Sequence, residues 1–442
     1  MQLRLQHINK IKKADITLKG LTVIAGANDA GKSTVGKILF TVIKAVNHIK
    51  GYDENIRNRE LRKRFVLLRS SLKHLSAEEL VAFLKAWHLQ GSDDDGQMES
   101  LFEKLVDKAN WKLMDEAMKS LSAVEPRFRV RVEKVLGDMK QVVFRSNDAS
   151  ELLKQELGNM IEAEFLNRIC TIDTLHSQIT LNDDAGNTCL NIRLEKDKVI
   201  QADYMNEDGN LWADATFVES PLYMHLLDML VASQTLKEQQ DFRTFLRPIV
   251  NYHIKDMAQK MDAIRYNTLD LFSAHLANKI QPDIKSITGG NFSFDSRKRK
   301  LSWVKDGKEY APVNVASGIK TFGVMQLLLE THSIDEDKML IWDEPENHLH
   351  PEWQIKFAEL LVRMSQAGIP IVVSSHSPYF IQAIRYFAHK QEMEKFVNYY
   401  LAEETEDGLS ELEDVTKDLN RLFLKLAQPM NSIVNLGMCW EC

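Results

Sequence analysis

Gly26-Ala27-Asn28-Asp29-Ala30-Gly31-Lys32-Ser33-Thr34 sets two glycines with four residues between them and follows the second with a lysine and two hydroxyl side chains. On its amino side stands the apolar run LTVIA, which reads as a buried strand; on its carboxyl side Gly31 to Asn47 carries Val35, Ile38, Leu39, Val42 and Ile43 at helical spacing. A strand, a curled glycine loop and an amphipathic helix form a phosphate-binding loop, in which inward-pointing backbone N–H groups and the positive helix end cradle phosphate oxygens. Gly26, Asn28 and Gly31 shape that cradle, Lys32 reaches the β- and γ-phosphates, Ser33 offers a hydroxyl to Mg²⁺, and Thr34 hydrogen-bonds the α-phosphate. The competing reading is a strand–helix turn that matches by chance.

A second segment, Met339-Leu340-Ile341-Trp342-Asp343-Glu344-Pro345-Glu346, is an apolar strand that ends in acids. Asp343 is placed to hold the magnesium shell, and Glu344 to orient and deprotonate the attacking water. A solvated acidic turn is the bland alternative. Further on, IPIVVSS reads as a buried strand leading into His376, which is placed to reach the γ-phosphate or the water; alone it would read as a loop histidine. His348 and His350 alternate without a third ligand nearby and read as loop contacts, not as a metal site.

The 442-residue chain carries a net charge of −7, with 44 % hydrophobic and 27 % charged residues, which excludes wholesale disorder and a uniformly basic nucleic-acid coat. No apolar run is long enough to span a bilayer, MQLRLQHINKIKK lacks a secretory pattern, and four cysteines are too few for a disulfide framework. A cytoplasmic location without membrane contact is expected. Residues 1–46, with LRLQHI and LTVIA as two strands, open an α/β head. Residues 47–170 read as a large, mainly helical insertion, 171–221 as a small antiparallel sheet, and 222–285 as a second helical insertion. Residues 286–442 complete the head, ending in a hairpin and a helix to about Leu426.

AGANDAGKST, MLIWDEPENHLHP and VVSSHSPYF together resemble the ABC-type ATPase head shared by structural-maintenance-of-chromosomes proteins, the overcoming-lysogenization-defect family and many ATPases of bacterial anti-phage systems. The resemblance covers both ends of the chain and skips the middle. It implies ATP hydrolysis with Mg²⁺, catalytic roles for Lys32, Glu344 and His376, and a homodimer or higher homo-oligomer formed through the heads. It also implies a signature segment from a second subunit, matched here by Val315 to Lys320. Ser317 and Gly318 carry over directly, and Lys320 is the candidate for a charge supplied across the interface; a plain helix cap is the alternative. A glutamine-loop equivalent is expected late in the first lobe, where Glu219 stands, though Glu219 reads better as the start of the next helix.

The stretch after His376 is too short for the metal-dependent nuclease domain of the lysogenization-defect family, so DNA cleavage by this chain is not expected. The nearest resemblance is to stand-alone ATPases of defence systems such as Septu, which implies a neighbouring effector protein, often a nuclease. An SMC-like DNA-repair ATPase acting directly on DNA is the alternative. Basic residues between Arg57 and Lys73 and from Arg297 to Lys300 leave nucleic acid open as a ligand, with solvated faces as the competing reading. Cys439 and Cys442 read as an incidental or partner-docking tail.

Overall fold

The computed structural model describes residues 1–50, 54–89, 95–144, 149–205, 211–227, 229–230, 250–265, 275–295 and 300–438. Arg297 to Arg299 and the Cys439/Cys442 pair lie outside the described residues. The chain forms two compact units, Met1–Asn47 with Leu153–Cys442, and His48–Leu152.

The first unit is built on a mixed sheet of eleven strands among the described residues. The strands are β1 (Gln2–Ile8), β2 (Ile11–Thr17), β3 (Leu21–Gly26), β4 (His176–Asn182), β5 (Thr188–Glu195), β6 (Lys198–Tyr204), β7 (Asp214–Val218), β11 (Lys338–Asp343), β12 (Ile371–Ser375), β13 (Val397–Glu404) and β14 (Ser410–Asp414). Their order is β6-β5-β4-β1-β2-β14-β13-β3-β12-β11-β7. β13, β3, β12, β11 and β7 run parallel side by side, so their carboxyl ends share one edge. β3 is buried throughout, as a continuous apolar run in a sheet covered on both faces must be. A separate three-stranded antiparallel sheet, β8 (Asn291–Asp295), β9 (Lys300–Lys305) and β10 (Lys308–Tyr310), contains the hairpin expected from NFSFD and LSWVK.

IKKADIT forms β2, a third N-terminal strand whose pattern Lys12 and Lys13 disguise. Residues 176–204 are not a sheet of their own: β4 pairs with β1 and extends the main sheet, while β7 joins the far edge beside β11. The C-terminal helix runs on to Met438.

Helices are numbered along the chain. α1 (Lys32–Lys50) follows the phosphate-loop motif. The second unit holds α2 (Glu54–Leu72), α3 (Ala77–Ala86), α4 (Asp95–Val106), α5 (Met114–Ser120) and α6 (Pro126–Phe144) around its own core, which includes Phe83, Trp87, Leu101 and Leu136. Ser76 and Glu79 close a reciprocal cap at the start of α3. The basic cluster on α2 is partly engaged inside this unit: Arg62 pairs with Glu99 and lies over Phe102, Arg64 pairs with Glu60, and Arg57 donates to the Val143 carbonyl. The remaining helices are α7 (Ala149–Phe165), α8 (Tyr252–Asp262), α9 (His275–Thr288), α10 (Ser317–Glu330), α11 (Pro351–Gln366), α12 (Pro378–Lys390) and α13 (Leu419–Met438). α10, α11 and α12 pack a core that includes Phe322, Phe357, Phe380 and Trp342, in which Phe357 meets Phe322 and Trp342 edge-to-face. No helix among the described residues is long and apolar enough to cross a membrane.

Candidate active site

The parallel register brings three remote segments to one edge. Asp343 pairs with Ser374, and Ser375 pairs with Ala25, so the ends of β11, β12 and β3 adjoin. Gly31 adopts φ 81°, and a Cβ there would lie 2.8 Å from Ile11, so both conformation and packing demand glycine. Lys32 turns inward and is almost fully buried; its ammonium donates to the Ala27 carbonyl at 2.8 Å and lies 3.5 Å from Glu344 Oε1. Asn28 and Asp29 are exposed on the loop, where Lys10 holds Asp29 at 2.6 Å. The Thr34 N–H donates to the Gly31 carbonyl, closing the first helical turn.

Asp343 accepts hydrogen bonds from the hydroxyls of Ser374 and Ser33. Burial nonetheless raises its pKa, with the nearby charges of Glu344 and Glu219 adding to the rise. No lysine or arginine among the described residues pairs with it. A hydroxyl beside a buried carboxylate that has no cation suits a magnesium site that takes most of its ligands from phosphate and water. Among the described residues no group of three or more His, Cys, Asp and Glu forms a metal cage. His350 instead caps α11, its Nδ1 accepting from the Glu352 N–H.

Glu344 occupies a left-handed backbone conformation, φ 45°, which a non-glycine residue keeps only where its surroundings impose it. Its N–H donates to Ser374, and its carboxylate gathers Asn347 Nδ2 at 2.9 Å, His376 Nδ1 at 3.2 Å and Lys32. Burial pushes the Glu344 pKa up, but these partners outweigh it and hold the carboxyl below its ordinary range. Glu344 is therefore ionised and able to accept a proton.

Glu346 carried no role in the sequence reading, yet it holds the backbone at His376. Buried to 4 % exposure, its Oε1 accepts from Ser375 Oγ at 2.6 Å, His376 N at 2.9 Å and Ser377 N at 3.2 Å. Burial raises its pKa against those donors. The run of acids in DEPE was visible; which of them turns inward was not.

Glu219 does not begin a helix. It is the residue after β7, and Ser220 caps the short 3-10 turn Pro221–Leu226. Since Val218 pairs with Trp342, Glu219 stands level with Asp343 at the same sheet edge.

The segment after β10 is arranged differently from expectation. Ala316, not Ser317, is the N-cap of α10, and no side chain caps that end. Gly318 packs under Trp353, where a Cβ would meet the ring at 3.1 Å and the His348 carbonyl at 3.2 Å, so a contact within the chain accounts for glycine there. Lys320 points into the fold at 4 % exposure with its ammonium 3.5 Å from His225 Nδ1, and burial lowers its pKa. The expectation that Lys320 reaches across an interface as a free charge is corrected by this burial. The structure thus gathers Lys32, Ser33, Asp343, Glu344 and His376; Gly318 and Lys320 face neighbours within the chain, and Ser317 stands half-buried at the start of α10.

Among solved structures the chain is similar to the SMC head domain from Thermotoga maritima, at 11 % identity over 94 % of this chain and 98 % of that one, with a TM-score of 0.37. It is also similar to an Smc head with an extended coiled coil bound to the C-terminal domain of ScpA from Pyrococcus furiosus, at 10 % identity over 96 % and 98 %, TM-score 0.38. No curated protein matches the chain. The family model for the AAA ATPase domain matches residues 8–381, a span that takes in the glycine loop, Asp343, Glu344 and His376. The chain belongs to the AAA ATPase domain family.

Proposed function

We propose that this chain is a magnesium-dependent ATPase whose pocket is completed by a second copy of itself, and that it acts as the sensor and scaffold of an anti-phage system, controlling a separate effector such as a nuclease or toxin. The observation that carries the catalytic part is the meeting of Lys32, Glu344 and His376 on one carboxylate oxygen, with Ser33 and Asp343 joined beside it. Gly26, Asn28, Gly31 and Thr34 shape a cradle for the triphosphate, and Lys32 neutralises its β and γ groups. Ser33 and Asp343 would hold Mg²⁺, which would offset charge on the phosphate oxygens. Glu344 takes the proton of the attacking water, kept ionised by Asn347, His376 and Lys32. His376, held through its backbone by Glu346, marks whether the γ-phosphate is present.

The uncapped start of α10, with Ser317 and Gly318, is the segment a second copy would bring over the γ-phosphate. ATP binding then favours the closed dimer and hydrolysis releases it. The effector part rests on the resemblance of the three motifs to stand-alone defence ATPases. Expression of the native operon with Lys32→Ala or Glu344→Gln should abolish phage protection. Undiminished protection would contradict the effector role, and turnover strongly stimulated by DNA would favour direct action on DNA.

A further inference from the structure

Inside the first unit, His253 on α8 presents both ring nitrogens to carboxylates. Nδ1 lies 2.7 Å from Glu164 Oε2, and Nε2 lies 3.2 Å from Glu219 Oε2. The His253 backbone N–H also donates to Glu164 Oε1 at 2.7 Å, so Glu164 grips the residue twice. Phe217 and Phe40 meet the imidazole edge-on at 4.7 and 6.2 Å and fix its plane. Glu219 in turn receives the Tyr223 hydroxyl at 2.9 Å and has Lys37 at 4.0 Å.

Two carboxylates on one imidazole are both satisfied only when both ring nitrogens carry protons. Burial disfavours that charge, but Glu164 and Glu219 outweigh it and raise the His253 pKa. Reciprocally, the hydrogen bond from His253 is the largest influence holding Glu219 down to about 2. Glu219 is therefore an ionised carboxylate fixed in place, level with Asp343, at the edge where the triphosphate is expected.

We propose that His253 is a positioning residue for this ATPase: anchored by Glu164, it holds Glu219 still as a second fixed negative charge beside Asp343, so that the pocket favours ATP in its cation-bound form. The inference rests on the proposed function above. A fixed carboxylate repels a bare triphosphate and is offset by one that carries a divalent cation, so the histidine governs how strongly Mg²⁺ and ATP help each other bind.

The test compares wild type, Glu219→Gln, His253→Phe/Glu164→Gln and the triple variant as full chains. Phenylalanine fills the slot between Phe40 and Phe217, and Glu164→Gln avoids stranding a buried charge. ATP affinity is measured by calorimetry with and without Mg²⁺, and turnover alongside. The expected result is that the ratio of the two affinities falls about ten-fold in the double variant, with kcat reduced about ten-fold. In the Glu219→Gln background the histidine change should add less than about two-fold. Restoring a donor with His253→Gln should recover part of the ratio. A double variant with the wild-type ratio and kcat would overturn the proposal. So would equal losses with and without Glu219, the mark of general structural damage. A wild-type chain that binds no ATP would instead remove the proposed function.

Discussion

Two clusters of buried charge sit at opposite ends of the parallel strands, and their balance differs. At the amino end of β7, Lys44 pairs with Asp214 at 2.5 Å and Asp256 at 2.6 Å, while Lys260 pairs with Asp214 at 2.7 Å and Asp256 at 3.0 Å. Lys260 also donates to the Ala215 carbonyl and Thr216 Oγ1, and in this cluster two cations meet two anions. At the carboxyl end, Lys32 is the cation among Asp343, Glu344 and Glu346, and the pKa values of Asp343 and Glu346 are raised. The first cluster closes on itself and ties α1, β7 and α8 together. The second holds an excess of negative charge in a form that a bound cation would relieve, as expected where a fold keeps strain for function.

The sharpest way to break this contrast is at the closed cluster. Lys44→Met should cost about 3–5 kcal/mol of unfolding free energy, because it leaves a buried carboxylate underpaired. Turnover per folded molecule should change less than about two-fold. Urea unfolding with an active-site titration checks both, and a loss below about 1 kcal/mol would mean the network does not order that corner.

Glu346 sharpens the contrast from the other side. Glu346→Ala strands the His376 N–H and removes the acceptor of the Ser375 hydroxyl, and should cost about 1–3 kcal/mol of stability. It should also slow hydrolysis about ten-fold through misplacement of His376. Glu346→Gln keeps an acceptor and should stay within about three-fold of wild type. If alanine and glutamine behave alike, the cradle is not what positions the histidine.

The smallest effect is the most diagnostic in sign. Asp343 is raised from its ordinary 3.8, so the folded state without nucleotide binds its proton more readily than the unfolded chain does, and its ionisation destabilises the fold at neutral pH. Asp343→Asn should therefore raise the melting temperature without nucleotide by about 1–3 °C while removing turnover. The gain should fade as pH falls through the raised value towards 3.8. Glu219 behaves oppositely: lowered from 4.5 to about 2, it contributes stability above 4.5 that is lost on acidification towards 2. Calorimetric scans of Asp343→Asn and Glu219→Gln against pH should diverge in sign, and parallel shifts would contradict the charge assignment.

Much of the nucleotide edge was legible because its chemistry is written in local patterns. LTVIA before the glycine loop, MLIW before the acids and IPIVVSS before His376 are each a buried strand followed by a polar group, and the parallel register places all three at one edge. What escaped depends on tertiary burial. His253, Asp256 and Lys260 lie three and four residues apart on one face of α8, a spacing that reads equally well as a solvated stripe until β7 and α1 cover it. β2 was hidden by its lysines, and Lys320 could be placed on a helix but not on its buried side. Sequence spacing gives the face of an element; only the packed neighbour decides whether that face is wet.

The central claim is that Lys32, Ser33, Asp343 and Glu344 act on one magnesium-bound triphosphate. Its most direct test is ATP binding and turnover by the full chain in Mg²⁺, set against Glu344→Gln. Steady hydrolysis by the wild type is expected, and in the variant retained ATP with turnover at least about 100-fold slower. A wild-type chain that neither retains nor hydrolyses ATP, or a glutamine variant that turns over at the wild-type rate, would contradict it.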